Sequence, residues 1–279
     1  MPTPLDGFIQ HVSRARDSYA LPALAQRVAG EFTDRVLALL FPHFAGPGLT
    51  SPAEVRAELE RVRAELEGFQ LAQGVDSALA AGVSAAFLAE LDGLTAGLLM
   101  DARAVCDADP AARSVDEVLL AYPGFHALAC YRIGHALQEL EVALLPRLIT
   151  EVAHRQTGID IHPGARIGRS LAIDHGTGIV IGETAVLGDR VRLYQGVTLG
   201  ALSVRKELAQ QKRHPTIEDD VVIYANATIL GGDTVIGAGS VIGGNVWLTH
   251  SVPPRSVVTH GATIERPRQS EESLLEYNI

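Results

Sequence analysis

Residues 159–200 have the sequence IDIHPGARIGRSLAIDHGTGIVIGETAVLGDRVRLYQGVTLG, in which an apolar side chain recurs at every sixth position. A period of six fits neither the α-helix, at about 3.6, nor the single strand, at about 2. It predicts a solenoid of short parallel strands whose inward side chains form one continuous interior. The period runs through Ile161, Ile167, Ile173, Ile179, Ala185, Val191 and Val197, and it resumes after one interruption at Ile217, Ile223, Ile229, Val235 and Val241.

The part of the chain before the repeat has helical patterns instead. Ser51, Pro52 and Glu54 make a capping-box sequence with proline in the first helical turn. Behind them lies an apolar stripe with spacings of four and three, formed by Val55, Leu59, Val62, Leu66 and Phe69. The predicted fold class is therefore α+β. We expect an N-terminal helical domain (1–157), a β-helix domain (158–264) with an inserted loop (201–215), and a flexible C-terminal tail (265–279).

The composition indicates an ordinary globular protein and excludes some partners. Of 279 residues, 47% are hydrophobic and 20% are charged, and the formal net charge is −10. Nucleic acids and anionic membranes bind basic surfaces, so neither is an expected partner. The apolar stretch 79–100 is interrupted by Ser84, Glu90 and Asp92, which favours a packed helix over a membrane span. With only two cysteines and no signal-peptide pattern at the start, we expect a cytoplasmic protein.

Basic residues gather in the segment that interrupts the repeat. Residues 201–215 contain Arg205, Lys206, Lys212, Arg213 and His214. Most charged loops are solvated surface, but an insertion in a solenoid is a common location for function. An anionic group of a small ligand is the expected occupant.

A possible acid–base pair lies in the first coils of the repeat. Asp160 and His175 are 15 residues apart, slightly less than one expected coil, so stacking could bring them together. A carboxylate that accepts from one imidazole nitrogen leaves the other nitrogen free to take a proton from a hydroxyl. The alternative is that the histidine only caps a turn.

Six short segments together resemble the serine O-acetyltransferase family, the hexapeptide-repeat acyltransferases of cysteine biosynthesis. They are DPA at 109–111, GFHALACYRIGHAL at 124–137, DIHP at 160–163, DHGTGIVIGET at 174–184, QGVTLG at 195–200 and RHP at 213–215. The resemblance covers about residues 105–258. It implies a left-handed parallel β-helix, acetyl-CoA as co-substrate and acetyl transfer to the hydroxyl of L-serine, without a metal.

The resemblance also implies roles for individual residues. His175 is similar to the family's general base, and Asp160 to the residue that orients it. Arg213 is similar to the residue that binds the substrate carboxylate, while Asp109 and Asp174 are similar to the acids that meet its ammonium group. A guanidinium fork suits a carboxylate, and two acids suit a cation.

Further residues follow from the same resemblance. His214 is similar to a neighbour in the serine pocket, and Gly200 and Ala225 are similar to positions along the pantetheine arm of CoA. The sequence departs from the family pattern in two places. The loop after Gly200 is longer and poorer in glycine, and the last coil, GGNVWLTHSVPPRSVV, lacks the usual ending. Both departures concern contacts to the adenine end of CoA.

The resemblance extends to partners. Tails of this family end in isoleucine, which enters the active site of O-acetylserine sulfhydrylase (cysteine synthase), and this sequence ends in Ile279. L-Cysteine is the expected feedback inhibitor. Members form homotrimers through the β-helix, and helical domains pair trimers into hexamers, so a homo-oligomer is expected here.

Three alternatives remain open at the level of sequence. One is acetyl transfer to another hydroxyl, such as that of homoserine or a sugar. Another is a zinc enzyme resembling γ-carbonic anhydrase, with His162, His175 and His214 as ligands, which would have to converge on one ion. The last is a non-catalytic scaffold built from the repeat and the tail.

Overall fold

The computed structural model describes residues 3–17, 25–46, 48–202 and 211–260. Most of the inserted loop, the predicted tail (265–279) and Ile279 therefore lie outside the described residues. Within them, helices come first in the chain and short strands follow. The helices are α1 Pro4–Asp17, α2 Ala25–Leu40, α3 Pro52–Leu71, α4 Ser77–Ala89, α5 Leu91–Ala108, α6 Val115–Ala121, α7 Pro123–Glu139 and α8 Leu145–Thr157.

Local sequence signals account for where several helices begin and end. The Ser51 side chain accepts from the Glu54 amide, and the Glu54 carboxylate accepts in return from the Ser51 amide, which completes the predicted capping box of α3. Hydrogen bonds from Ser51 and Thr50 lower the pKa of Glu54 to about 2. Helix α8 ends at Gly158, whose φ of 71° is the left-handed conformation that glycine adopts without strain.

No single helix among the described residues has both the length and the hydropathy of a membrane span. Helices α4 and α5 meet these criteria only when taken together, and they are bent by 43° relative to each other.

In the described part of the chain, fourteen strands of two or three residues follow the helices. They form three parallel sheets: sheet A with the order β1-β4-β7-β10-β13, sheet B with β11-β8-β5-β2, and sheet C with β14-β12-β9-β6-β3. Each sheet takes every third strand up to β13, so the chain winds as a parallel β-helix, as predicted; in the last coil a single bridge between Ile236 and Val252 replaces a sheet B strand, and β14 therefore follows β13 directly. The strands are β1 Asp160–Ile161, β2 Arg166–Ile167, β3 Ala172–Asp174, β4 Val180–Ile181, β5 Val186–Leu187, β6 Arg192–Tyr194, β7 Thr198–Gly200, β8 Thr216–Ile217, β9 Val222–Ile223, β10 Thr228–Leu230, β11 Val235–Ile236, β12 Val241–Ile242, β13 Trp247–Leu248 and β14 Val257–Val258.

The interior of the coils follows the period of six, with one error in the prediction. Ile161, Ile173 and the positions from Ile179 to Val197 are buried. In the last coils, however, Ile236 and Ile242 are buried, whereas Val235 pairs with the outward Thr216 and is only half-buried. The predicted inward positions of Val235 and Val241 are therefore wrong. The coil from Thr216 to Val235 has one residue more than 18, and a single added residue exchanges the two faces of a strand.

A buried ion pair joins the helices to the first coil. Asp101 of α5 is fully buried, and one of its oxygens lies 2.9 Å from Nη2 of Arg132 on α7. The same carboxylate accepts from the Leu171 amide at 3.0 Å, and Nη2 of Arg132 also donates to the carbonyl of Gly168 at 2.7 Å. Both charges are thus compensated by ionic or backbone partners, as buried charges must be.

Close backbone packing strengthens this junction. A side chain on Gly124, in the first turn of α7, would lie 2.5 Å from the carbonyl oxygen of Ile173 in β3. The hydroxyl of Tyr131 donates to the Ala165 carbonyl at 2.6 Å. Helix α7 therefore lies directly on the first coil along most of its length.

Replacing Asp101 by asparagine should lower the free energy of unfolding by about 3 kcal/mol, because Arg132 would keep its charge in a buried site without the counter-charge. Urea unfolding followed by circular dichroism measures this. Asp220→Asn is the matched control, since it breaks the exposed pair of Arg190 and Asp220 and should leave the midpoint almost unchanged. Equal midpoints for the two variants would contradict the assigned importance of the buried pair.

Candidate active site

His175 lies on a bulge at the corner between sheet C and sheet A. The coil from Asp160 to Val180 spans 20 residues, whereas the next coil, from Val180 to Thr198, spans 18. The additional residues are accommodated by left-handed backbone at His175 (φ 55°), Gly176 (φ 89°) and Gly178 (φ 82°). This conformation is uncommon for a residue with a side chain and occurs often at functional sites. The bulge leaves the His175 side chain 60% exposed.

Glycine is required at position 176 for a second reason. A Cβ there would lie 2.5 Å from the Cδ1 atom of Ile159, inside the buried interior of the coil. The backbone at the bulge therefore packs directly on the core, while the imidazole next to it extends outward. The backbone next to His175 is therefore held rigidly, although the imidazole ring is exposed to solvent.

Two carboxylates accompany His175. Asp174 ends β3, and its Oδ1 lies 3.8 Å from Nε2 of His175. Asp109 follows α5 directly and lies close enough for His175 to contribute to the lowering of its pKa. The larger causes of that lower pKa are hydrogen bonds from the Tyr122 hydroxyl, at 2.7 Å, and the Ala111 amide, at 2.8 Å. We call Asp109, Tyr122, Asp174 and His175 the His175 corner.

A second cluster lies where sheet A meets sheet B. It consists of Glu183, Thr184, Lys212, Arg213 and His214, which we call the Arg213 corner. Arg213 forms an ion pair with Glu183 across adjacent coils. The Lys212 ammonium donates to the backbone carbonyls of Thr184, at 2.8 Å, and His214, at 2.7 Å, which fixes the end of the inserted loop to the preceding coil. Burial lowers the pKa of Lys212.

His214 is buried in this corner, with its tautomer set by Thr184. The Thr184 amide donates to Nδ1 at 3.0 Å, and the Thr184 hydroxyl is 2.9 Å from the same atom, so the ring proton is assigned to Nε2. Burial, and then the charge of Arg213, lower the pKa of His214 to about 4. The ring lies over Gly182, where a Cβ would be 2.1 Å from Nε2. His214 is therefore a neutral hydrogen-bonding group at physiological pH and not a second base.

The predicted hydrogen bond between Asp160 and His175 is not formed in the described part of the chain. Asp160 lies on sheet A opposite α8, with Oδ1 3.8 Å from Nη1 of Arg147. Its other near neighbours are Glu151 and His154 of the same helix. The physical reason is the neighbouring helix, because the Asp160 carboxylate is paired with the Arg147 guanidinium of α8. Asp174 is the carboxylate that lies next to the imidazole instead.

The remaining predicted residues lie along the two edges of sheet A. Gly200 ends β7 at the edge of the Arg213 corner, and Ala225 lies before β10 at the edge of the His175 corner. The three histidines proposed as zinc ligands do not form a group within ligand distance. The one such group that the described residues contain is Glu151, His154 and Asp160, and it already binds the guanidinium of Arg147.

Sequence reasoning missed Tyr122, Glu183 and Thr184. Glu183 and Thr184 stand inside the quoted segment 174–184, but their contacts are to residues 29 or 30 positions later, across the inserted loop. Tyr122 is 13 residues from Asp109 and belongs to another helix. No spacing rule connects such residues before the coil stacking and helix packing are known.

Comparison with known proteins places this geometry in a family, although no family model matches the chain. The Synechococcus elongatus protein named "Serine acetyltransferase, plasmid" is 45% identical over 265 residues, which is 86% of this chain and 82% of that protein. The serine acetyltransferase of Bacillus subtilis is 51% identical over 158 residues, which is 57% of this chain and 70% of that protein.

Solved structures lead to the same family. Entamoeba histolytica serine acetyltransferase 1, in complex with L-cysteine, has a TM-score of 0.76 and 34% identity over 82% of this chain and 86% of that chain. The Neisseria gonorrhoeae serine acetyltransferase, in complex with serine, has a TM-score of 0.60 and 30% identity over 94% of this chain and 89% of that chain. The helical half, the stacked coils and the two charged corners are thus found in a chain that belongs to the serine acetyltransferase family.

Proposed function

We propose that this enzyme transfers the acetyl group of acetyl-CoA to the hydroxyl of L-serine, giving O-acetyl-L-serine and CoA in the first step of cysteine synthesis from serine. Membership of the serine acetyltransferase family supports the reaction. The observation that carries the choice of substrate is the division of charge, with two acids beside His175 and an arginine beside His214. Thiol release from acetyl-CoA, compared for L-serine, homoserine and sugars, tests it, and a preference for either alternative alcohol would overturn it.

His175 is the proposed general base. Its imidazole takes the proton of the serine hydroxyl as the oxygen attacks the thioester carbon, and the imidazolium then returns a proton to the departing thiolate of CoA. No covalent enzyme intermediate is needed, because the hydroxyl and the thioester meet directly. Asp174, at 3.8 Å from Nε2, stabilises the imidazolium that forms between the two proton transfers.

Each corner binds one charged group of the zwitterionic substrate. Asp109 and Asp174 receive the ammonium group, and Arg213 receives the carboxylate. The ion pair with Glu183 does not prevent this, because a guanidinium has five N–H donors and can bind two carboxylates. His214 donates from Nε2 in its neutral form. Gly200 and Ala225 remain our proposed contacts for the pantetheine arm, at the two edges of sheet A.

One chain alone does not bring the two corners together. Sheet A separates them, and the four residue-to-residue steps from Gly178 to Gly182 span roughly 13 Å when extended. The ammonium and carboxylate groups of an amino acid are attached to one carbon atom, so one serine molecule does not reach both corners of the same chain. We therefore propose that the His175 corner of one subunit and the Arg213 corner of a neighbour form each site, in a homotrimer or hexamer.

Replacing His175 by alanine should lower kcat by at least about 10², because the general base is lost. His162→Ala is the control, since His162 accepts from the Gly164 amide through Nδ1 and is placed at the other corner; its effect on kcat should be much smaller. Steady-state thiol-release kinetics measure both. If the two variants lose activity equally, His175 is not the base.

Mixed oligomers of His175→Ala and Arg213→Ala chains should recover about a quarter to a third of wild-type activity, although each variant is nearly inactive alone. A trimer that contains both kinds of chain has one interface in three that joins an intact His175 corner to an intact Arg213 corner, and this share approaches about one in four in a larger random assembly. Co-expression with two affinity tags and assay of the doubly tagged fraction measures this. Mixing His175→Ala with Asp174→Ala, which alter the same corner, should restore nothing. Absence of recovery in the first mixture would contradict a shared site.

The terminal isoleucine is our proposed contact with O-acetylserine sulfhydrylase, whose active site would receive the terminal carboxylate as a substrate analogue. Deletion of Ile279 should abolish co-elution with the purified sulfhydrylase in size-exclusion chromatography. Asn278→Ala keeps the terminal isoleucine and should still co-elute. Binding retained after the deletion would refute this contact.

L-Cysteine, with a thiol in place of the serine hydroxyl, is the proposed feedback inhibitor, and it would bind in the serine pocket.

A further inference from the structure

We propose that Tyr122 is a positioning residue that fixes the Asp109 carboxylate for the ammonium group of the substrate. This inference rests on the proposed function, because it assigns a role within the serine pocket. The Tyr122 hydroxyl donates to the Asp109 carboxylate, so we assign its action on the substrate to Asp109.

Helix ends bring the two residues together. Asp109 caps the C-terminus of α5, and Tyr122 stands at the N-terminus of α7, directly before Pro123. The short helix α6 lies between them in sequence. Helices α5 and α7 both pack on the first coil, so their ends meet beside the corner that carries His175 and Asp174.

Both oxygens of Asp109 have a partner. Oδ1 accepts from the Ala111 amide at 2.8 Å, and Oδ2 accepts from the Tyr122 hydroxyl at 2.7 Å. The hydrogen bond from the Ala111 amide alone would let the carboxylate rotate about χ2, because the energy varies little with this terminal torsion. The hydrogen bond from Tyr122 to the other oxygen fixes χ2. Each oxygen still has further acceptor capacity for an incoming ammonium group.

The charge of Asp109 depends on the same bond. The Tyr122 hydroxyl is the largest cause of the lowered pKa of Asp109, so the hydrogen bond favours the ionised carboxylate. In return, the pKa of Tyr122 is raised to about 12, chiefly by Asp109, so the phenol remains a donor at physiological pH. The charge of Asp174 also raises it, which places the hydroxyl near both acids of the corner.

The ring and the hydroxyl of Tyr122 make different contacts. The half-buried ring packs against the hydrophobic core, whereas the hydroxyl makes the bond to Asp109. Phenylalanine therefore preserves the packing and removes only the bond. Tyr131→Phe is a matched control on the same helix, since it also removes one hydroxyl, the donor to the Ala165 carbonyl, at a place remote from the acids.

In thiol-release kinetics, Tyr122→Phe should raise the KM for L-serine about tenfold, the loss expected for one hydrogen bond to a charged group. The kcat and the KM for acetyl-CoA should change by less than about twofold, because the base and the thioester site are untouched. Tyr131→Phe should lower the thermal midpoint and leave all three constants near the wild-type values. Equal effects of the two substitutions on the KM for serine would overturn the inference.

Competitive inhibition by two thiols distinguishes a loss of Asp109 positioning from general damage to the serine pocket. L-Cysteine has the ammonium group, whereas 3-mercaptopropionate lacks it. Tyr122→Phe should weaken competitive inhibition by cysteine about tenfold and leave inhibition by 3-mercaptopropionate unchanged. Equal weakening of inhibition by both thiols would overturn the inference.

The outcomes distinguish failure of the proposed function from failure of this inference. A wild-type enzyme that releases no thiol with L-serine would overturn both. An active wild type together with an unaffected Tyr122→Phe variant would overturn this inference alone.

Discussion

The buried pair of Asp101 and Arg132 is the interaction on which the geometry of the His175 corner depends. It fixes α5 and α7 to each other and to the backbone of the first coil. A helix is stiff over one or two turns, so fixing the middle of each helix also fixes its end. The end of α5 carries Asp109 and the start of α7 carries Tyr122. Asp109 and Tyr122 are thus aligned with the β-helix by an ion pair outside the His175 corner.

The β-helix separates stability from chemistry. Its interior is a repeated stack of Ile, Val, Leu and Ala side chains, which stabilises the coils and offers no reactive group. Reactive groups lie where the repeat is broken. A bulge of two residues projects His175 from one edge, and the inserted loop places Arg213 and His214 at the other. A close contact at a glycine holds each of these two segments in place. Gly176 packs against Ile159 at the bulge, and Gly182 lies under the ring of His214 at the end of the inserted loop.

Placing the two corners on opposite edges of one sheet has a consequence for assembly. A single chain holds both halves of a receptor for a small zwitterion and keeps them apart. In the assembly that we propose, a neighbouring subunit brings the two halves together, so that catalysis is coupled to assembly. The helical half contributes Asp109 and Tyr122 to the His175 corner.

Much of the fold was predictable from local patterns, and the limits of that prediction have a physical origin. The period of six predicted the inward row from Ile161 onward, and the Ser51–Glu54 pattern predicted the start of α3, because each depends on residues close in sequence. The same rule failed at Val235 and Val241, where one added residue at a corner changed the face of the strand. The expected hydrogen bond between Asp160 and His175 is not formed among the described residues, because the Asp160 carboxylate pairs with Arg147 of α8, a contact that the spacing of the repeat does not contain.

The sequence by itself determined the helical half, the coiled repeat and the short segments that contain the acids, histidines and arginine of the two corners, because these follow from periodicity, capping and recognisable motifs. The tertiary structure alone decided which of them meet. Only the folded chain shows that Asp174 and not Asp160 accompanies His175, that Tyr122 holds Asp109, and that Thr184 sets the tautomer of His214. Such contacts join residues of different coils and helices, and their distances depend on packing that no local rule contains.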